Sequence, residues 1–260
     1  NNDRITFDEG IYLLEKVSIY DLGQLANNIR RKINPSNIVT FVIDTNLNYT
    51  NICDAFCSFC SFYRTDPKDP SAYTFSVEEM MKKIEKARDK GCTTVLMQGG
   101  LNSELPFDYY KKMVSETVRL YPEITPHYYS APEIMKMSEV SKKSIKQVLI
   151  ELKNSGQRTI PGGGSEILSN SIKSQISRLK PKNNIDQWTK VHSIAHEVGF
   201  FTTATMMYGH IEKSNHIIET LSHIRNIQDN SKNKQGSFTA FIPWSYKREH
   251  NPLSKKVLKE

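Results

Sequence analysis

Cys53, Cys57 and Cys60 follow one another in Cys-x-x-x-Cys-x-x-Cys spacing, directly after an apolar stretch that reads as a strand. Thiolates at these intervals can wrap one corner of an iron–sulfur cube, ligating three irons and leaving the fourth open to an outside ligand. An open iron is a place for chemistry, whereas electron-carrier clusters normally use four cysteines. Structural zinc sites pair Cys-x-x-Cys with a second Cys or His pair, and no such pair follows here. The competing use of this spacing is a helix face that buries three small apolar thiols. Asn51, Asp54, Ser58 and Ser61 interrupt the stripe that such a helix would need. Cys92 stands apart from the triad and reads as a buried, inert thiol.

These thiols need a scaffold. A chain of 260 residues can bury a sizeable core, and one catalytic domain is expected. Residues 3–31 carry apolar side chains at helical intervals around Gly10 and Gly23, which predicts a helical preamble that packs on the domain. Beyond it, short β-branched runs alternate with amphipathic stretches. Strands are predicted over 38–46, 93–98, 124–130, 158–160, 201–207 and 238–244, and helices over 77–90, 107–120, 144–154, 167–179, 185–198 and 215–230. Such alternation implies an α/β fold: a parallel sheet curled into a partial TIM-type (β/α)6 barrel, occupying 37–246 after an N-terminal helical extension over 1–36 and before a C-terminal segment over 247–260. Reactive groups in such sheets gather at the carboxyl ends of the strands. Gln98-Gly99-Gly100, Ser130 to Glu133, Pro161 to Gly164, Tyr208-Gly209-His210 and Pro243-Trp244 are therefore expected to converge on one mouth with the cysteines.

Four cysteines without an apolar leader, and thiols that must stay reduced, point to the cytoplasm. No apolar run is long enough to span a bilayer. The net charge of +7 raises the question of a nucleic-acid partner, but the lysines are scattered over helix faces rather than gathered in a stripe, which argues against one.

A cysteine loop of this form, with Phe59 just inside its last cysteine and a partial βα barrel behind it, resembles the radical S-adenosylmethionine (SAM) superfamily. Longer segments resemble one family within it, the dehypoxanthine futalosine cyclases of the futalosine route to menaquinone. These are Asn48 to Asn51, Cys60 to Arg64, Gln98 to Leu101, Ile160 to Gly164, Thr203 to His210 and Phe238 to Trp244. Aminofutalosine synthases and deazaflavin-cofactor synthases share the scaffold; the third glycine after Pro161 and Ala240 favour the cyclases. Thr125, Asn102-Ser103 and Ala131 depart from the pattern, and relatives continue past the point where this chain stops.

The resemblance implies a 4Fe–4S cluster on Cys53, Cys57 and Cys60, with SAM chelated on the open iron and cleaved by one electron to methionine and a 5′-deoxyadenosyl radical. It assigns Phe59, Gln98, Gly99, Gly100, Gly163, Glu166, Thr205, Met207 and Gly209 to SAM. Phe59 alternatively serves as core packing, the Gly99-Gly100 pair as a tight turn, Glu166 as a stabiliser of a helix start, and the fifth strand as ordinary barrel wall. The implied substrate is the small molecule dehypoxanthine futalosine. The radical abstracts hydrogen from its ribose 4′ carbon, ring closure gives a spirocycle, and a flavodoxin or ferredoxin supplies the electron. The last deprotonation needs a base. His127 and His210 are the candidates, with Glu133 and Glu212 near them in sequence, and each histidine has a structural alternative. Arg64 is expected to pair with the benzoate of the substrate or to brace the loop. His192, His196, His216 and His223 are expected on helices as surface or packing residues.

Overall fold

In a computed structural model, which describes residues 4–178 and 182–257, the chain forms a sheet of six parallel strands in sequential order. Asp3, Leu179 and the last three residues of the C-terminal segment lie outside the described residues. Two helices, α1 (Phe7–Lys16) and α2 (Ile19–Ile33), come first. Then follow β1 (Asp44–Leu47), α3 (Val77–Asp89), β2 (Thr94–Met97), α4 (Phe107–Leu120), β3 (Thr125–Tyr128), α5 (Ala131–Ser141), α6 (Ile145–Asn154) and β4 (Thr159–Ile160). The barrel ends with α7 (Asn170–Gln175), α8 (Ile185–Val198), β5 (Phe201–Tyr208), α9 (Ser214–Asp229) and β6 (Phe238–Ser245). The edge strands β1 and β6 do not pair with each other, so the curled sheet is an open partial barrel, as expected.

Local chemistry starts the helices where the pattern places them. Ser76 with Glu79, Ser144 with Gln147 and Asn184 with Gln187 form reciprocal capping boxes at α3, α6 and α8. Gly199 ends α8 at φ +94°, a left-handed position that a side chain would strain. Between helices and sheet lies one large apolar core that includes Met80, Ile84, Val95, Met97, Met113, Ile134, Leu149, Trp188 and Phe200.

Several expectations need correction. The first strand is shorter than 38–46 because residues 38–43 run past the end of the short β2 and stay exposed. Helix α5 is an addition, with Pro132 in its first turn, where a missing N–H costs nothing. The helix expected over 167–179 contracts to α7, because Ile167 and Leu168 are drawn into the interior and Leu168 donates its backbone N–H to Thr220 Oγ1 at 2.9 Å. The preamble splits in two. Helix α1 packs on α9, with Gly10 against Ile218 and Arg4 paired to Asp229, whereas α2 buries no residue. Among the described residues no helix is long and apolar enough to cross a membrane.

His192 and His196 on α8 are fully buried. Thr202 Oγ1 lies between them, 3.1 Å from His192 Nδ1 and 2.8 Å from His196 Nε2, and Ser231 Oγ is 2.7 Å from His196 Nδ1. Burial lowers His192 to about 3 and His196 to about 4, so both are neutral at pH 7. The unfolded chain takes up protons near pH 6.5. The stabilisation is therefore complete above that value and is lost as pH falls toward 4, at up to about 2.7 kcal/mol per pH unit for the two groups. Urea midpoints measured between pH 7.5 and 4.5 are expected to fall steeply, and a His196→Gln variant to fall less steeply; equal slopes would refute the assignment.

Candidate active site

The cysteine loop leaves β1 through a turn that a second strip of chain clamps. Cys53 N donates to Arg64 O at 2.9 Å, and Arg64 N returns a bond to Asn51 O at 2.7 Å. From the other side Ser58 N donates to Ile176 O at 2.8 Å and Arg178 N to Phe56 O at 3.0 Å, while Phe56 takes a left-handed φ of +51°. All three thiols line one cavity of about 840 Å³ at the carboxyl ends of the strands, together with Phe59. Burial pushes the Cys57 thiol up to about 12 and raises Cys53 as well. Among the described residues no three Cys, His, Asp or Glu side chains are arranged around a single ion. The thiols share a mouth without meeting at one point, and a cubane presents separate irons to separate thiolates.

The cavity continues down the sheet as a lumen. Strand alternation sends Asn46, Thr94, Leu96, Thr125, His127, Thr159, Thr203 and Thr205 inward, while Val95, Met97, Tyr128 and Ala204 face the helices. Ala240, Ile242 and Trp244 form the wall on β6. The lumen is thus rich in hydroxyls along β2 to β5 and mostly apolar along the adjoining β6, where Thr239 also lines it.

Of the residues expected here, Phe59, Gln98, Gly99, Gly100, Gly163, Glu166, Thr205, His127 and Glu133 do line the cavity. The glycine pair also has a steric reason to be there. A Cβ at Gly99 would stand 2.6 Å from the Tyr49 ring, and one at Gly100 would collide with the Ile52 carbonyl beside Cys53. Because that obstacle is backbone, Gly100→Ala is expected to displace the loop, cost about 1–3 kcal/mol of stability and lower the iron bound per chain. Unchanged iron content would count against this account.

Glu133 is held in a set of hydrogen bonds at the edge of the cavity. Its carboxylate accepts from Tyr49 OH (2.7 Å), Gly99 N (3.0 Å), Ser130 N (2.7 Å) and Ser130 Oγ (2.5 Å), so it pins the Gln98-Gly99 turn to the start of α5. Burial raises its pKa, and these four bonds oppose the shift. Arg64 takes the second of its two expected roles, and Met207, Gly209 and His210 need correction in direction. Arg64 lies outside the cavity; it binds Ser71 Oγ at 2.5 Å and the Phe62 and Tyr63 carbonyls, and so braces the loop. Met207 is buried in a separate apolar cluster with Ile167, Ile176 and Tyr246, because Met206 and Met207 are buried in succession and the alternation of β5 slips. Gly209 and His210 turn away with it. Glu212 accepts from both backbone N–H groups, and the His210 ring is buried 3.2 Å from Met207 O. His127 remains in the lumen, lowered to about 4 by burial and therefore neutral at pH 7.

Lys182 and Lys173 are additions. Lys182 lines the cavity, 2.7 Å from Glu166 Oε1, with its Nζ 5.6 Å from the Phe59 ring centroid. Lys173 Nζ donates to Gly164 O at 2.7 Å and stands 3.9 Å from Glu166 Oε2. Burial by itself would raise Glu166, but the two lysines outweigh it and hold the carboxyl below its usual range. Burial likewise opposes the charge on Lys182, and Glu166 with the thiols of Cys57 and Cys60 reverses that effect, so its pKa is raised. Burial lowers Lys173 to about 8.

With this geometry in place, the comparisons with known proteins are decisive for the family. The sequence profile of the radical SAM superfamily matches residues 47–224. The chain belongs to the radical SAM superfamily. It is similar to a cyclic dehypoxanthine futalosine synthase of Halalkalibacterium halodurans, 37% identical over 98% of this chain and 67% of the relative. It is equally similar to a 5-amino-6-(D-ribitylamino)uracil–L-tyrosine 4-hydroxyphenyl transferase of Methanopyrus kandleri, 38% identical over 93% of this chain and 63% of that protein. The chain thus spans about two thirds of the length of these curated relatives. The FeFe-hydrogenase maturase HydG of Carboxydothermus hydrogenoformans superposes with a TM-score of 0.70 at 18% identity, over 99% of this chain and 56% of that one, which supports the fold alone. As a radical SAM enzyme the protein uses a 4Fe–4S cluster and SAM. The donor set fits them: three free thiols on one mouth, beside a cavity with room for a nucleoside.

Proposed function

We propose that this barrel closes dehypoxanthine futalosine into its cyclic product on the route to menaquinone, with Cys53, Cys57 and Cys60 holding the cluster and Gln98 to Gly100, Gly163, Glu166 and Thr205 holding SAM. The observation that carries the proposal is the mixed lining of the lumen. Thr94, Thr125, Thr159 and Thr203 offer hydroxyl partners to a sugar, and Ala240, Ile242 and Trp244 offer an apolar wall to an aromatic ring. A ribose joined to a benzoate needs both kinds of lining. Bound together, the cluster and SAM supply the 5′-deoxyadenosyl radical.

The chain's own residues then position, shelter and take up a proton. Phe59 and Leu101 cover the thiols from solvent. The lumen holds sugar and ring in a folded pose, and such confinement makes ring closure intramolecular, an advantage that can reach about 10⁵ M or more in effective concentration. We assign the proton released on closure to neutral His127, which lies between Leu96 and Thr159 on the neighbouring strands; lowered to about 4 it is a weak base, so in this reading it passes the proton on rather than keeping it.

Similarity at the same level to the hydroxyphenyl transferase makes transfer of a tyrosine-derived hydroxyphenyl group to a ribitylaminouracil the second reading. Ala240 supports cyclisation over it, because β6 then offers the lumen no carboxylate for an amine. Product masses after anaerobic incubation with reductant and SAM discriminate the two. Cyclisation releases free 5′-deoxyadenosine and a product two hydrogens lighter than dehypoxanthine futalosine. Turnover only with tyrosine and a ribitylaminouracil would overturn the proposal, as would incorporation of the adenosyl group into product, the outcome expected of an aminofutalosine synthase.

A further inference from the structure

Glu166 stands at a φ of +39°, in the left-handed region that residues other than glycine enter rarely. Such a conformation persists only where the surroundings over-determine it. The loop before it is fixed at nearly every polar group. Gly162 N donates to Thr203 Oγ1 at 2.9 Å, and the Gly162 carbonyl accepts from Ser165 Oγ and Thr205 Oγ1, each at 3.0 Å. On the far side Met207 N donates to the carbonyl of Glu166 itself at 2.6 Å.

The peptide that joins Gly163 to Gly164 is gripped front and back. Behind it, Trp188 Nε1 on α8 donates to the Gly163 carbonyl at 3.3 Å. In front, the Gly164 N–H is directed at the Glu166 carboxylate, which lines the cavity. The next carbonyl, of Gly164, accepts from Lys173 Nζ at 2.7 Å. A peptide is planar, so a donor that fixes its carbonyl also aims the N–H on the opposite edge. Neither donor is free to move. Trp188 is fully buried, its ring stacked 5.9 Å from Phe238 and packed 4.1 Å from His192, and Lys173 is 3% exposed. The two lysines attract the Glu166 carboxylate without prescribing a direction, whereas a hydrogen bond from an amide prescribes one.

We propose that Trp188 and Lys173 are positioning residues for SAM: acting on the Gly163 and Gly164 carbonyls, they aim the Glu166 carboxylate at a donor group of the bound cosubstrate. The inference rests on the assignment of Glu166 to SAM and adds the two side chains that set its direction. Trp188 does so without lining the cavity.

The test titrates the cluster's resonance with SAM in the reconstituted full chain. Trp188→Phe keeps an aromatic ring in the stack and removes the N–H. It is expected to weaken SAM binding about fivefold at unchanged iron content, and to raise KM for SAM by the same factor while kcat stays within about twofold. Lys173→Met is expected to weaken SAM binding to a similar extent, and serves as the second variant should Trp188→Phe not fold. Ile84→Val, a change in the same core from α3, is expected to lower the unfolding midpoint without moving SAM affinity. A cycle with Glu166→Gln separates positioning from general loosening: in that background each substitution should change SAM affinity by less than about twofold. Wild-type affinity in both variants, or a fivefold loss that persists beside Glu166→Gln, would overturn the positioning role and leave Glu166 assigned to SAM. An affinity that Glu166→Gln alone does not change would overturn that assignment, and the inference with it.

Discussion

Alanine at Cys53, Cys57 or Cys60, one position at a time, is expected to abolish the cluster and lower turnover more than about a thousandfold, equivalent to at least about 4 kcal/mol of transition-state stabilisation. The size of the effect follows from the chemistry. In the proposed site each thiol binds its own iron, so no neighbour would substitute for a missing one. The loop has no spare ligand either, since Cys92 lies before β2 and outside the cavity. Cys92→Ala should therefore keep wild-type iron content, visible absorption and turnover. Iron and sulfide analysis, with electron paramagnetic resonance before and after SAM, checks both halves of the statement. A triad variant that still carries a SAM-responsive cluster would show that the cluster sits elsewhere.

What makes the triad so exposed to mutation also makes it legible. Its three thiols lie within eight residues, and their spacing places them on one cavity mouth without help from distant partners. The barrel is legible for a related reason. Its signal is periodic and local, and each βα repeat carries its own turn and cap. Legibility fails where the signal depends on distant partners. Helix α2 shows a regular apolar stripe but buries no residue among the described ones, so periodicity alone overstates its burial. Met207 should point into the lumen by parity with Thr203 and Thr205, and a single slip at the end of β5 sends it the other way. Lys182 has no motif at all. It becomes part of the site only because the chain between α7 and α8 brings it back to Glu166, sixteen positions earlier by number. Glu133 shows the converse. Its position beside the catalytic mouth is readable, while its role is fixed by Tyr49 from another strand end, a partner that spacing does not reveal.

The second large effect is expected at Glu166. Glu166→Gln keeps the shape of the side chain and removes the only carboxylate that the structure places within 4 Å of both Lys173 and Lys182 among the described residues. Lys173 is 3% exposed, so its charge would be stranded in the interior. Removing one partner of a buried ion pair typically costs about 3–5 kcal/mol, because the desolvated charge left behind has nothing to offset it. The sign with pH follows from the lowered carboxyl. Its stabilisation is present above the usual carboxylate range and is lost as pH falls below it. Wild type and Glu166→Gln should therefore differ most near neutral pH and converge in acid, where the native carboxyl is itself protonated. Lys182→Met should cost less, since Glu166 keeps Lys173 as a counter-ion, and the double variant should be less destabilised than the sum of the two. Glu166→Gln should also demand a higher SAM concentration to shift the cluster's resonance, because the same carboxylate faces the SAM cavity. Anaerobic urea unfolding across pH and a SAM titration by resonance read out the two effects separately. An equal unfolding midpoint for wild type and Glu166→Gln at pH 7 would mean that water, not Glu166, compensates the lysines, and the electrostatic account of this wall would fail.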